Sequence, residues 1–193
     1  MFEVLHFRGA EEILKEKGML SDFQATMQYI DDVLAGSLYK RELLRMALDE
    51  MDWTVDTDRM RIIEGRRYMY KGVKRGVAID GNISAYEYIL EGLFRLQIGF
   101  DKGRIETGIL MLTSERSEKS RLGTSVELAK LEVEQLYPTI SMPVTIALFD
   151  LGSPELPDEN HAEGGEADGV YVSAVSRDEE YSEEDQQEWE PFP

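Results

Sequence analysis

Cysteine is absent from the 193 residues of this chain, and histidine occurs only as His6 and His161. Without a thiol there is no disulfide, no thiolate-held zinc and no cysteine nucleophile, and the composition suits a reducing, cytoplasmic compartment. The two histidines cannot form a metal cluster, and a Ser-His-Asp arrangement would have to recruit His6. No Walker A sequence and no GxGxxG run occurs, which leaves nucleotide-driven chemistry without a sequence basis. Long apolar runs are missing as well. Nothing approaches the ~20 residues of a membrane span, and the opening MFEVLHFRGAEE is too acidic and too short for a signal peptide. The expectation is a soluble protein with no membrane partner.

Positive charge is scarce: 21 Lys and Arg stand against 39 Asp and Glu, a net charge of −18. Such a balance ordinarily argues against nucleic-acid binding. Its distribution changes that reading. Residues 152–193 hold 14 acids and one base, Arg177, which accounts for −13 and leaves −5 on residues 1–151. The chain therefore divides into a domain over 1–151 and an acidic tail over 152–193, where apolar periodicity stops and Pro, Gly, Glu and Asp dominate. The tail is expected to be disordered.

Within the first 151 residues the pattern is that of an α/β protein. Phe2 to Phe7 is rich in strand formers, and Gly9 to Leu20 carries helix formers. Ser21-Asp-Phe-Gln24 reads as a capping box, followed by Phe23, Met27, Ile30 and Leu34 at helical spacing. A further amphipathic helix spans about Ser37 to Met51. Beyond Trp53, Arg61–Glu64, Tyr68–Tyr70 and Gly76–Asp80 read as short strands. Ser84-Ala-Tyr-Glu87 predicts a second cap and a helix to about Ile98. Ile105–Leu112 is an apolar strand, Thr124-Ser-Val-Glu127 a third capping box opening a helix that ends before Pro138, and Val144–Phe149 a last buried strand. Strands alternating with capped helices, after an N-terminal helical section, predict a sheet with partly parallel order.

One segment has the composition of a polyanion-binding surface. Between Arg59 and Arg75 lie seven bases (Arg59, Arg61, Arg66, Arg67, Lys71, Lys74 and Arg75) and one acid, Glu64, with Tyr68 and Tyr70 interleaved. Like charges at that density call for solvent or for phosphate. Two readings stand: a phosphate-facing surface, or a solvated strand hairpin. The loop Glu115-Arg-Ser-Glu-Lys-Ser-Arg121 carries three more cations with the same two readings.

Lys71-Gly-Val-Lys-Arg-Gly-Val-Ala-Ile-Asp80-Gly-Asn82 resembles the active-site strand pair of BglII- and BamHI-type restriction endonucleases of the PD-(D/E)XK superfamily, in which an Asp precedes a Val-Ala-like run and Glu-x-Gln or Glu-x-Glu. The similarity extends to the Gly9-Ala-Glu-Glu-Ile-Leu opening, to Leu48–Trp53, to Gly103–Leu112 as the next core strand, and to Met142–Phe149 as the closing strand. It implies a restriction-endonuclease-like mixed sheet flanked by helices, a homodimer, double-stranded DNA as partner, and Mg²⁺ as cofactor if the site is active. Arg66, Arg67, Lys74 and Arg75 would meet DNA, as would Lys119 and Arg121 in the loop that matches a DNA-contacting loop of the family.

The departures from the family pattern fall on the catalytic positions. Lys71 stands at the first Asp, Asp80 at the Glu and Asn82 at the Gln. Phosphodiester hydrolysis of this type uses two acidic groups to hold a metal that polarises the phosphoryl oxygen and activates water. An ammonium cannot ligate a metal. Asp80 remains the one metal-binding candidate, on the same strand face as Asn82, with Asp56 and Glu64 as acids able to supply a second carboxylate. The expectation is impaired cleavage. The tail offers an alternative function: Glu188-Trp-Glu-Pro-Phe-Pro193 combines acids with the anchors Trp189 and Phe192, as a ligand for a protein partner would.

Overall fold

A computed structural model describes residues 1–63, 65–66, 68–115 and 124–152. Five strands form one sheet: β1 (Phe2–Phe7), β2 (Gly72–Lys74), β3 (Val77–Asn82), β4 (Thr107–Thr113) and β5 (Val144–Phe149). Their order is β1-β5-β4-β3-β2. The three central strands run parallel, and the two edge strands pair antiparallel to their neighbours. Every residue of β4 and β5 is buried, as expected of parallel strands covered on both faces. That is why both read as nearly unbroken apolar runs.

Helices α1 (Ala10–Glu16), α2 (Leu20–Leu34) and α3 (Lys40–Glu50) cover one face; α5 (Ile89–Asp101) and α6 (Ser125–Gln135) cover the other. A short α4 (Thr57–Met60) precedes the edge strand β2. Strand alternation divides the core between the two layers. Val77, Ile79, Ile109, Met111, Ala147 and Phe149 meet Phe23, Met27, Ile30 and Leu48 of the first layer. Ala78, Leu110, Leu112, Val144, Ile146 and Leu148 meet Leu93, Leu96, Ala129 and Val133 of the second. Among the described residues no helix is long and apolar enough to cross a membrane.

Two of the three expected capping boxes do not form. The second-layer helix α6 has its box complete: Thr124 Oγ1 accepts from the Glu127 amide at 3.2 Å and Glu127 Oε2 from the Thr124 amide at 2.9 Å. α2 instead starts at Leu20, before Ser21, because the apolar Met19 and Phe23 are drawn into the core. Ser84 gives its amide to Asn82 Oδ1 at 2.8 Å, and the chain enters α5 through a 3-10 turn over Tyr86–Tyr88. The expected strands over Arg61–Glu64 and Tyr68–Tyr70 do not form among the described residues, which share only an isolated bridge between Arg61 and Met69.

Candidate functional site

Asp80 and Asn82 lie on β3 opposite Leu110 and Leu112 of β4. Those leucines enter the core layer under α5 and α6, and the strand alternation sends Asp80 and Asn82 to the same side. Between them, Gly81 has φ +126°, and a Cβ there would come 2.0 Å from the Met111 carbonyl oxygen. Only glycine lets β3 approach β4 this closely.

Asp80 is 1% exposed. Its Oδ1 accepts from the Gly81 amide at 2.9 Å. Its Oδ2 is buried with no hydrogen-bond donor among the described residues, and faces Arg95 Nη1 of α5 at 3.6 Å. Arg95 also lies 3.8 Å from Glu91, one turn earlier on the same helix. Lys71 precedes β2 and donates its backbone amide to Ile79 at 3.0 Å, close enough for its ammonium to act on Asp80. Burial raises the Asp80 carboxyl above the usual carboxylate range; Arg95, the Gly81 amide and Lys71 oppose that rise, and Glu91 adds to it. Burial lowers the Lys71 ammonium; Asp80 opposes the shift, while Arg95 and Arg41 reinforce it.

Tyr70 closes the site from below. Its hydroxyl donates to the Arg95 carbonyl at 3.2 Å, in space left by Gly99, where a Cβ would fall 1.7 Å from that oxygen. Burial, and then the nearby Asp80 charge, push its phenol to about 12. Ultraviolet titration of the nine tyrosines should therefore show a late component, to which Tyr29 also contributes through its bond to Glu50, and Tyr70→Phe should remove the latest part of it. A titration unaltered by the substitution would remove Tyr70 from the electrostatics of the site.

This donor set does not fit a divalent cation. Mg²⁺ takes an octahedron of oxygens anchored by one or two carboxylates. Here a single buried carboxylate is faced by two cations, and the next acid, Glu91, is exposed and turned to Arg95. The described residues contain no group of three acidic, histidine or cysteine side chains able to hold a metal. Asp56, a candidate for the second carboxylate, is committed elsewhere: it caps α4 through the Arg59 amide at 3.3 Å and ion-pairs with the Arg59 side chain. Glu64 lies outside the described residues.

The basic segment is not one surface. Lys74 turns inward, bonded to Asp22 at 2.8 Å and to the Met51 carbonyl at 3.1 Å, with its ammonium 5.9 Å from the Trp53 ring centroid. Arg75 sits exposed in the β2–β3 turn with φ +50°, its carbonyl held by Lys17. Lys71 and Arg75 stand at opposite ends of the hairpin, about 13 Å apart along an extended chain. Arg66 is exposed; Arg67, Lys119 and Arg121 lie outside the described residues. His6, the one histidine available to a triad, is held by Thr145 at 2.9 Å.

Arg95 escaped sequence reasoning, although a signal existed: it is the only charge between Gly92 and Phe100. Arg41 and Arg45, one turn apart on α3, carry no sequence signal beyond their place on an amphipathic helix, yet both line a cleft that ends at Lys71.

No family model matches this chain, and no curated protein sequence does. Solved structures do match. Restriction endonuclease BglII complexed with a DNA 16-mer aligns at TM-score 0.54 with 13% identity, over 77% of this chain and 76% of that one. Free BglII aligns at TM-score 0.48, also with 13% identity, over 78% and 79% respectively. The five-stranded mixed sheet with helices on both faces is a restriction-endonuclease-like fold.

Proposed function

We propose that this protein binds duplex DNA on its restriction-endonuclease-like scaffold and does not cleave it by a metal-dependent route. The observation that carries the reading is the pair of cations around Asp80. Lys71 and Arg95 place positive charge where the resemblance expects a carboxylate-held metal, so a phosphate would meet fixed cations there. Support for DNA as the partner comes from the fold, since BglII adopts it in complex with a DNA 16-mer. Arg66, Arg67 and Arg75, with Lys119 and Arg121 of the β4–α6 loop, are the proposed backbone contacts, and two copies would bind one duplex. Neutralising Lys74 should instead lower stability, because its partners are internal.

The test is duplex binding with mixed-sequence DNA, in EDTA and in Mg²⁺ or Mn²⁺, across a salt series. Each phosphate contacted contributes about −0.9 to the slope of log K against log salt, so four contacts would cost about a hundredfold in affinity between ~50 and ~200 mM salt. The expected result is salt-dependent binding that is the same in EDTA and in Mg²⁺, weakened by Arg66→Gln or Arg75→Gln, with no cut strand. Metal-dependent cleavage lost in Asp80→Ala would overturn the reading. Absence of binding, together with capture of a protein partner that requires residues 152–193, would replace it with the tail-mediated alternative.

A further inference from the structure

A cleft of about 510 Å³ opens between α3, α4 and the start of β2. Its floor is apolar, built from Leu44, Leu48, Met60 and Met69; the first three are buried and Met69 is 38% exposed. Its rim carries Arg41, Arg45 and Lys71. Among the described residues none of these three side chains makes an ion pair or a hydrogen bond, whereas Lys15, Lys17, Lys74, Arg59 and Arg95 each have a carboxylate partner. Arg41 and Arg45 are exposed and Lys71 is half-buried. Of the two acids in the wall, Asp49 accepts from the Thr54 hydroxyl, and Glu42 stands beside Arg41.

Three cations without a bonded partner, of which Lys71 also acts on Asp80, line one apolar floor and ask for a ligand with a matching division. A phosphate answers the cations through charge-assisted hydrogen bonds, for which guanidinium groups are well shaped. A flat ring answers the floor, where thioethers pack well against π faces. A free phosphate would leave the floor empty, and an apolar ligand would leave Arg41 and Arg45 uncompensated. The cleft is also within the size range of small-molecule sites.

We infer that this cleft is a nucleotide site, which seats the base on Leu44, Leu48, Met60 and Met69 and the phosphate on Arg41, Arg45 and Lys71. The source is either a free nucleotide or an unstacked nucleotide of a single strand; the chemistry recognised is the same. The inference does not depend on duplex binding, since it is measured without duplex.

The experiment is calorimetric titration of the full chain with adenosine monophosphate, adenosine, inorganic phosphate and a single-stranded tetranucleotide. The monophosphate should bind at least about tenfold more tightly than either adenosine or phosphate, and the variant Arg41→Gln/Arg45→Gln should lose about tenfold or more of that affinity. Both arginines are exposed, so an unchanged melting temperature would show that the variant folds. Tetranucleotide binding tighter than the monophosphate identifies a strand as the source, and equal binding a free nucleotide. Phosphate binding as well as the monophosphate, no binding by either, or affinity unchanged in the variant overturns the inference. Failure of duplex binding alone leaves it standing, and nucleotide failure alone leaves the duplex reading standing.

Discussion

Gly81→Ala should abolish the native state, or destabilise it by more than about 4 kcal/mol, a loss outside the usual range for single substitutions. Two causes act at this position. The backbone has φ +126°, which an L side chain adopts only under strain. The added methyl would also lie 2.0 Å from the Met111 carbonyl oxygen and 2.7 Å from its amide nitrogen, one pair before the end of the β3–β4 ladder. Neither of these backbone atoms can move without breaking the central ladder. Gly103→Ala separates the causes: its φ is +63°, and a methyl added there would meet nothing within 4 Å. That variant should lose only about 1–2 kcal/mol, the cost of a left-handed backbone for a residue with a Cβ. Chemical denaturation of both variants measures the difference. If Gly81→Ala unfolded no more readily than Gly103→Ala, the close approach of β3 to β4 would not exist, and the seating of Asp80 beside the Gly81 amide would have to be redrawn.

Much of this fold is written locally and much of the site is not. β1 and β5 occupy the bounds that their patterns predict, Phe2–Phe7 and Val144–Phe149: β5 is a short run of buried side chains, and β1 is a partly exposed edge rich in strand formers. Thr124 and Glu127 cap α6 as their spacing requires, both partners being exposed and without competitors. Ser21 and Ser84 have the same spacing and fail, for tertiary reasons: the core draws in Met19 and Phe23 so that α2 starts at Leu20, and the Asn82 side chain takes the Ser84 amide first. The resemblance over Lys71–Asn82 put Asp80 on a strand, and β3 holds it there. It did not reveal what stands against Asp80, because Arg95 is fifteen residues further on and reaches it only once α5 lies on the sheet. Lys74 shows the opposite error. In sequence it belongs to the basic run, but only the folded hairpin shows that it faces Asp22 and Trp53 and not solvent.

Replacing Arg95 with methionine should destabilise the protein at neutral pH by about 2–3 kcal/mol, and pairing it with Asp80→Asn should restore most of that loss. Removing one member of a buried ion pair leaves the other charge uncompensated, at a cost of about 3–5 kcal/mol. The lower figure is expected here because Arg95 is 32% exposed, its contact is 3.6 Å, and Lys71 remains as a second cation. Asparagine keeps an acceptor for the Gly81 amide and removes the charge. The pH dependence has a definite sign. Burial raises the Asp80 carboxyl above its unfolded value of 3.8, so the folded state takes up the proton more readily. Asp80 therefore contributes stability that is complete below the unfolded value and is lost as pH rises through the folded one. Without Arg95 the carboxyl moves higher still, and the deficit of Arg95→Met relative to the parent should shrink between about pH 8 and about pH 5. In the Asp80→Asn background that trend should vanish, since no carboxyl remains to titrate. Denaturant unfolding of the four proteins at the two pH values gives the coupling directly. A deficit that is equal at both pH values and undiminished by Asp80→Asn would mean that Arg95 acts only through packing. The positive charge around Asp80 would then rest on Lys71 alone.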